Sequence, residues 1–190
     1  ENCRESDKEK FKKYVSIFKK YNKPLDDSIF FQYNQWESNI KIFRSLNEQS
    51  NINDVSSVFV IEYEGIKIVI PGDNEKSSWN EFLENSDFKK AISNAHIFLA
   101  SHHGRESGYH YDVLKIMNPF LTVISDSKLN ETSYRENYGK MSKGWKVYNK
   151  NSEKTERKTL STYNDGSITI KAGKSSDPAY RNYLYVSTSK

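Results

Sequence analysis

A chain of 190 residues is long enough to bury a sizeable core, and its 35% hydrophobic residues, resting on 13 Tyr, 10 Phe and 3 Trp, give a globular composition. Lys and Arg exceed Asp and Glu by 29 to 25, a net charge of +4 too small and too evenly spread to indicate a nucleic-acid partner by itself. The single cysteine, Cys3, excludes an internal disulfide framework and a cysteine-cluster zinc site, and no apolar run approaches the ~20 residues of a membrane span. A soluble, cytoplasmic protein with no membrane partner is the expectation. The chain starts at Glu1 rather than Met. The second part of a longer polypeptide is the first reading of that start, ahead of a processed chain or an excised fragment.

In chain order, Phe11, Tyr14, Val15 and Phe18 recur at helical spacing with lysines opposite, which predicts an amphipathic helix over residues 6–21, ended near Asn22 and Pro24. Residues 28–33 and 39–43 read as strands, and polar residues 47–54 as a loop. The strongest strand signal follows, residues 55–63 and 66–70, joined by Glu64-Gly65 as a hairpin. Trp79, Phe82 and Leu83, then Phe88 and Ile92, predict one or two helices broken near Asn85 and Ser86. Residues 95–100 form a short buried strand. Val113, Leu114 and Met117 lie on a helix that stops before Pro119, and residues 121–124 are a further buried strand. Residues 146–148 and 158–163 are β-like, with Asn164-Asp165-Gly166 as a hairpin turn into 167–170. The tail, 174–190, carries Tyr180, Tyr183 and Tyr185 and reads as an ordinary terminal or edge strand, with a partner-binding arm as the alternative. Alternation of strand and helix after a hairpin argues for an α/β layered fold.

Two of these strands end in residues suited to chemistry. Pro71-Gly72-Asp73 follows the second strand of the hairpin, and Ser101-His102-His103-Gly104 follows strand 95–100. A carboxylate and an imidazole at strand ends, each beside a glycine that leaves room, suit a hydrolytic metal site. Gly-Asp is also a common turn dipeptide, and paired histidines are also found merely satisfied at a surface. On extended backbone His102 and His103 would point to opposite sides, so one reaches a metal while the other supports it or meets substrate. Ser107, His110 and Ser125 are near enough in sequence to line the same cleft, although a structural role suits each better. Trp36, Trp79 and Trp145 are compatible with nucleic acid, and a core role suits most of them better.

Taken together, four passages carry a resemblance. They are NDVSSVFVIEYEGIKIVIPGDNE (53–75), AHIFLASHHG (95–104), NPFLTVIS (118–125) and KTLSTYNDGSITI (158–170). In order and spacing this run resembles the metallo-β-lactamase-like domain of bacterial competence DNA-uptake proteins and their soluble relatives. The resemblance implies the C-terminal half of an α/β, metallo-β-lactamase-like αββα sandwich, a mixed sheet flanked by helices. On that basis residues 1–52 lead into the domain, 53–171 form its C-terminal half, and 172–190 are a Tyr-rich extension.

The resemblance also implies a site holding one or two zinc ions, with manganese as the alternative. Asp73 would bind or bridge the metal, and a histidine of the 102/103 pair would be the last ligand, with His103, nearer the glycine turn, preferred over His102. Asp73 and His103 would then be the catalytic pair of a metal-dependent hydrolase, a phosphodiesterase or nuclease with nucleic acid as its candidate substrate. The family's His-x-His-x-Asp-His motif and a further first-half histidine are missing, since the histidines here are His96, His102, His103 and His110. Its usual acidic residue before the last-ligand strand is also replaced, because His96 follows Ala95. Two protein ligands fall short of the three or four that zinc sites use. The expected partner is therefore an N-terminal half, or a second chain, that supplies the others. The alternative is a degenerate, non-catalytic binding or assembly module of the same fold.

Overall fold

The computed structural model describes residues 38–45, 51–127 and 134–190, together with four helical positions, Glu9, Lys12, Lys13 and Ser16. The chain divides into two units, Glu1–Trp36 and Glu37–Lys190. Apart from those four positions, the helix expected over 6–21 lies outside the described residues, as do the strand expected over 28–33, Trp36 and Cys3.

In the second unit β1 (Ser38–Phe43), β2 (Val58–Tyr63) and β3 (Ile66–Ile70) form an antiparallel meander. Glu64 and Gly65 turn β2 into β3 with φ of 50° and 74°, the left-handed pair that a two-residue hairpin requires. Val55, expected in β2, instead ends a 3-10 turn, Ile52–Val55. From β3 onward the connections become crossovers. α1 (Lys76–Glu84) and α2 (Ser86–Ile92) lead to β4 (Ile97–Leu99), and α3 (Tyr111–Met117) leads to β5 (Leu121–Ile124). Both strands lie parallel to β3. Asn85 divides α1 from α2 because its side chain accepts from the amides of Asp87 and Phe88, capping the second helix. α3 stops at Asn118, which is left-handed and precedes Pro119.

Next come α4 (Arg135–Met141), β6 (Trp145–Tyr148), β7 (Lys154–Arg157) and β8 (Thr159–Ser161), of which β8 joins the first sheet parallel to β5. A short helix, α5 (Thr162–Asp165), then leads to β9 (Ile168–Lys174) and β10 (Asn182–Thr188). Among the described residues the result is an α/β fold with two mixed sheets, one of six strands in the order β1-β2-β3-β4-β5-β8 and one of four in the order β7-β6-β10-β9.

Sheet alternation sorts the core into two layers. On one face of the larger sheet Val58, Val60, Val69 and Phe98 pack beneath Trp79 and Phe82 of α1, Phe88 and Ile92 of α2, Val113, Leu114 and Met117 of α3, and Tyr138 of α4. On the other face Ile97, Leu121, Val123 and Leu160 meet Val147 and Val186 of the smaller sheet. This second face is only partly covered. Cross-strand pairing sets Ile40, Ile61, Ile68, Ile97 and Leu121 in one row, which is buried at Leu121 and 49% exposed at Ile40. Ile42 and Phe59 flank the exposed end of the row and are exposed as well.

Two expectations are corrected. Asn164-Asp165-Gly166 is no hairpin turn, because β8 and β9 belong to different sheets. Ser161 caps α5 by accepting from the Asn164 amide, and the Asp165 carboxylate accepts from Ser161 N–H and from Arg157. Those local bonds draw the segment into a helical turn that changes sheets. The Tyr-rich tail does form a terminal strand as expected, but not an edge strand or a free arm, since β10 lies between β6 and β9 with Val186 fully buried. The strands over 39–43 and 66–70 and the α1–α2 break lie where periodicity places them. β7 and α4, which carry few apolar residues, were not foreseen.

Candidate functional site

Four parallel strands, β3, β4, β5 and β8, end on the same side of the larger sheet. In α/β sheets ligands gather at such carboxyl ends. Asp73 follows β3, His103 follows β4, and Ser125 and Asp126 follow β5.

The turns after β3 and β4 are stapled together. Gly72 carries φ of 63°, and a Cβ there would come within 3.0 Å of Ser56 Cβ, so glycine suits both its conformation and its close packing. Its carbonyl accepts from the His102 amide at 3.2 Å and from Ser101 Oγ at 3.2 Å. Ser101 Oγ also donates to the Asn74 carbonyl, and the Asp73 amide donates to Ser56 Oγ at 3.2 Å.

His102 and His103 are not extended, contrary to the geometry expected of them. Both are left-handed, with φ, ψ of 47°, 50° and 55°, 27°, and Gly104 continues the turn at φ of 74°. Backbone of this kind is uncommon outside glycine and gathers at functional positions. The two rings still diverge, with centroids 6.4 Å apart.

His103 faces the Asp73 carboxylate, with Nε2 3.8 Å from Oδ1, and both side chains are nearly half exposed. Its Nδ1 lies 2.8 Å from the Ser125 carbonyl, which can only accept, so Nδ1 carries the proton and Nε2 carries the lone pair of the neutral ring. A carbonyl fixing the far nitrogen is the usual support of a metal-ligating imidazole.

His102 turns inward. Its Nδ1 lies 2.8 Å from Glu75 Oε1 and 2.9 Å from Ser107 Oγ, and its Nε2 lies 3.1 Å from Arg105 Nη1. Of the other residues singled out, Ser107 reaches His102, and Ser125 holds His103 through its carbonyl. His110 bonds Asn80 at 3.0 Å and joins neither group. Burial pushes the pKa of His110 down, which keeps it neutral. His96 sits at the opposite end of β4, where its Nδ1 accepts from the Lys67 amide and its ring stacks on Phe120. Trp79 is core, with its indole N–H donating to the Gly108 carbonyl, and Trp145 packs edge-on against Phe120 between the sheets.

Glu75 and the Ser125 carbonyl were missed as parts of the site. Glu75 could have been found from its position two residues beyond Asp73, but a carbonyl has no residue-type signature.

A carboxylate and an imidazole this close are groups of the kind that could hold a divalent cation, and they are equally the partners of an ordinary ion pair. Among the described residues no group of three or more His, Cys, Asp or Glu is placed to hold a metal ion, and no helix is long and apolar enough to cross a membrane. No protein-family model matches this sequence, and no curated protein matches it.

Proposed function

We propose that this chain is the C-terminal part of a metal-dependent hydrolase of the metallo-β-lactamase-like class, acting on phosphoester bonds, whose remaining ligands come from an N-terminal half or a second chain. The observation that carries this reading is the approach of His103 Nε2 to Asp73 Oδ1, 3.8 Å apart, at the carboxyl ends of neighbouring parallel strands. Asp73 and His103 would hold the metal, zinc first and manganese second. When bound, such an ion lowers the pKa of its water and stabilises charge on the attacked phosphoryl group. The Ser125 carbonyl, 2.8 Å from His103 Nδ1, would fix the ring with Nε2 turned toward Asp73.

Two features of the fold support a missing half. Helices cover one face of the larger sheet and the smaller sheet covers part of the other, a layering in keeping with part of an αββα sandwich. The uncovered face at Ile40, Ile42 and Phe59 is an apolar surface of the kind that a further set of strands would bury. The second reading, a degenerate binding module of the same fold, draws on the lack of a third ligand among the described residues.

Metal analysis of the purified protein, combined with intact mass to detect a second chain, separates the two. One or two equivalents of metal, bound at least about tenfold more weakly in Asp73→Ala and His103→Ala, are expected of the hydrolase. A homogeneous single chain with no affinity for zinc or manganese would leave the binding module.

A further inference from the structure

The outer face of the smaller sheet carries a pattern that neither the core nor the strand-end residues use. On its inner face Val147, Ile168, Ile170, Leu184 and Val186 pack toward the larger sheet. Successive strand residues point to opposite sides, so the residues between them face outward. Cross-strand register places Lys154, Tyr148, Ser187 and Thr169 in one outward row, Tyr185 beside Lys171 in the next, and Tyr183 beside Gly173 beyond it. Lys146, two residues before Tyr148, shares that face. Lysines, tyrosines and small hydroxyls with no aliphatic residue among them suit a polar ligand better than a packed layer of helices.

Two properties of the face point to its ligand. The first is charge. Lys146, Lys154 and Lys171 are exposed, and among the described residues no carboxylate pairs with them. Glu156 lies opposite Lys146 in the register, yet its carboxylate packs beside Gly144, where a Cβ would meet Oε1 at 2.8 Å. The second property is the set of rings. Tyr148 and Tyr185 stack across β6 and β10, with centroids 5.0 Å apart and planes 22° apart. Tyr183 lies over Gly173, since a Cβ there would come within 3.1 Å of its ring. Rings braced in this way have little rotamer freedom left to lose, and Tyr183 and Tyr185 are still 44% and 37% exposed.

Outward positions along a strand are about 6.5–7 Å apart, so a chain that stacks on the rings also passes the lysines. Fixed π faces interleaved with free cations receive unpaired bases and their phosphates. A duplex keeps its base faces hidden, and an acidic peptide would use the lysines without needing the rings. We propose that the outer face of the smaller sheet binds single-stranded nucleic acid, with Tyr183 and Tyr185 stacking bases, Tyr148 bracing Tyr185, and the three lysines meeting phosphates. The face belongs to a different sheet from the Asp73–His103 pair, and the assignment does not rest on the hydrolase reading.

The full chain, stripped of metal with a chelator, is titrated against a fluorescently labelled oligothymidylate of about 12 nucleotides, a length of the order that one small β domain covers. Anisotropy reads the affinity at several salt concentrations. Three phosphate contacts predict a slope of log K against log salt of about −2, and Lys146→Gln combined with Lys171→Gln should bring it to about −0.7. Tyr183→Ala and Tyr185→Ala should each weaken binding at least about fivefold. Tyr183→Leu keeps apolar packing over Gly173 without a π face and should lose as much, which frees the result from any folding defect of the alanine variants. Equal binding by Tyr183→Leu and the parent, a salt slope unmoved by the lysine substitutions, or no binding by the parent would overturn the proposal. Polyglutamate that binds as tightly as the oligonucleotide, with no response to Tyr183→Leu, would overturn it in favour of an acidic protein partner. Oligonucleotide binding lost in Asp73→Ala and indifferent to the sheet variants would overturn it too, while leaving the hydrolase reading intact. Binding that depends on the tyrosines and lysines in a protein with no affinity for metal would do the reverse.

Discussion

At the scale of single residues, the site depends on two histidines held in backbone that costs of order 1–2 kcal/mol per residue relative to ordinary conformations. Gly72 and Ser125, from remote parts of the chain, bond to them there, and Gly108 packs closely against the same turn. A Cβ at Gly108 would lie 2.5 Å from the Ser101 carbonyl oxygen and 3.0 Å from His102 Cβ. Gly108→Ala must therefore displace the turn, and the expected loss is about 1–3 kcal/mol, as in overpacked cores. Urea unfolding should give a lower midpoint with an unchanged slope. A midpoint equal to that of the parent would mean that the turn yields without cost. The strand-end positions of Asp73 and His103 could be picked out in the sequence because a carboxylate or imidazole beside glycine after an apolar run is a local pattern. The left-handed turn could not, because Gly72, Ser125 and Gly108 impose it from outside the His-His dipeptide.

At the scale of elements, α1 shows how a helix start is secured from a distance. Glu75 occupies its N-cap without a side-chain capping bond. Asp54, from the preceding 3-10 turn, takes over that role. Its carboxylate accepts from the amides of Glu75 at 2.8 Å and Ser78 at 3.4 Å and from the hydroxyls of Ser77 and Ser78. Burial opposes the charge on Asp54, but these four donors together outweigh it and hold the carboxyl below the usual carboxylate range. A group depressed in this way contributes stability above its unfolded pKa of about 3.9, and that stability is lost as pH falls through the folded value. Asp54→Asn should cost about 1.5–3 kcal/mol at neutral pH. It should also flatten the acid limb of the stability curve below about pH 4. Denaturant titrations at several pH values check both points, and parallel curves for the two proteins would refute the assignment. The Asn85 break between α1 and α2 was legible because its side-chain bonds run only to Asp87 and Phe88, two and three residues on. The Asp54 cap was not, because its donors lie 21 to 24 residues away.

At the scale of the whole molecule, the smaller sheet is completed by the last strand of the chain. β10 pairs with β6 on one side and β9 on the other, and its Val186 is fully buried between the two sheets. A charge there has no partner and no route to solvent, so Val186→Asp is expected to cost about 4 kcal/mol or more and to abolish cooperative packing of the smaller sheet. Near-ultraviolet circular dichroism, which reads the stacked Tyr148 and Tyr185 rings on β6 and β10, should lose intensity. Retention of that signal with an unchanged unfolding midpoint would show that β10 contributes little.

The sequence by itself determined most of the local elements and the strand-end placement of Asp73 and the histidine pair, because periodicity, turn residues and caps act over a few positions. Tertiary structure alone decided which histidine meets Asp73, how Glu75, His102 and Arg105 align, and that the tail is an interior strand. Those outcomes depend on groups far apart in the chain, such as the Ser125 carbonyl 22 residues from His103 and Asn182 bonding Glu64 across 118 residues. Contacts at such separations form only once the sheets have packed, and no local pattern of residue types encodes them.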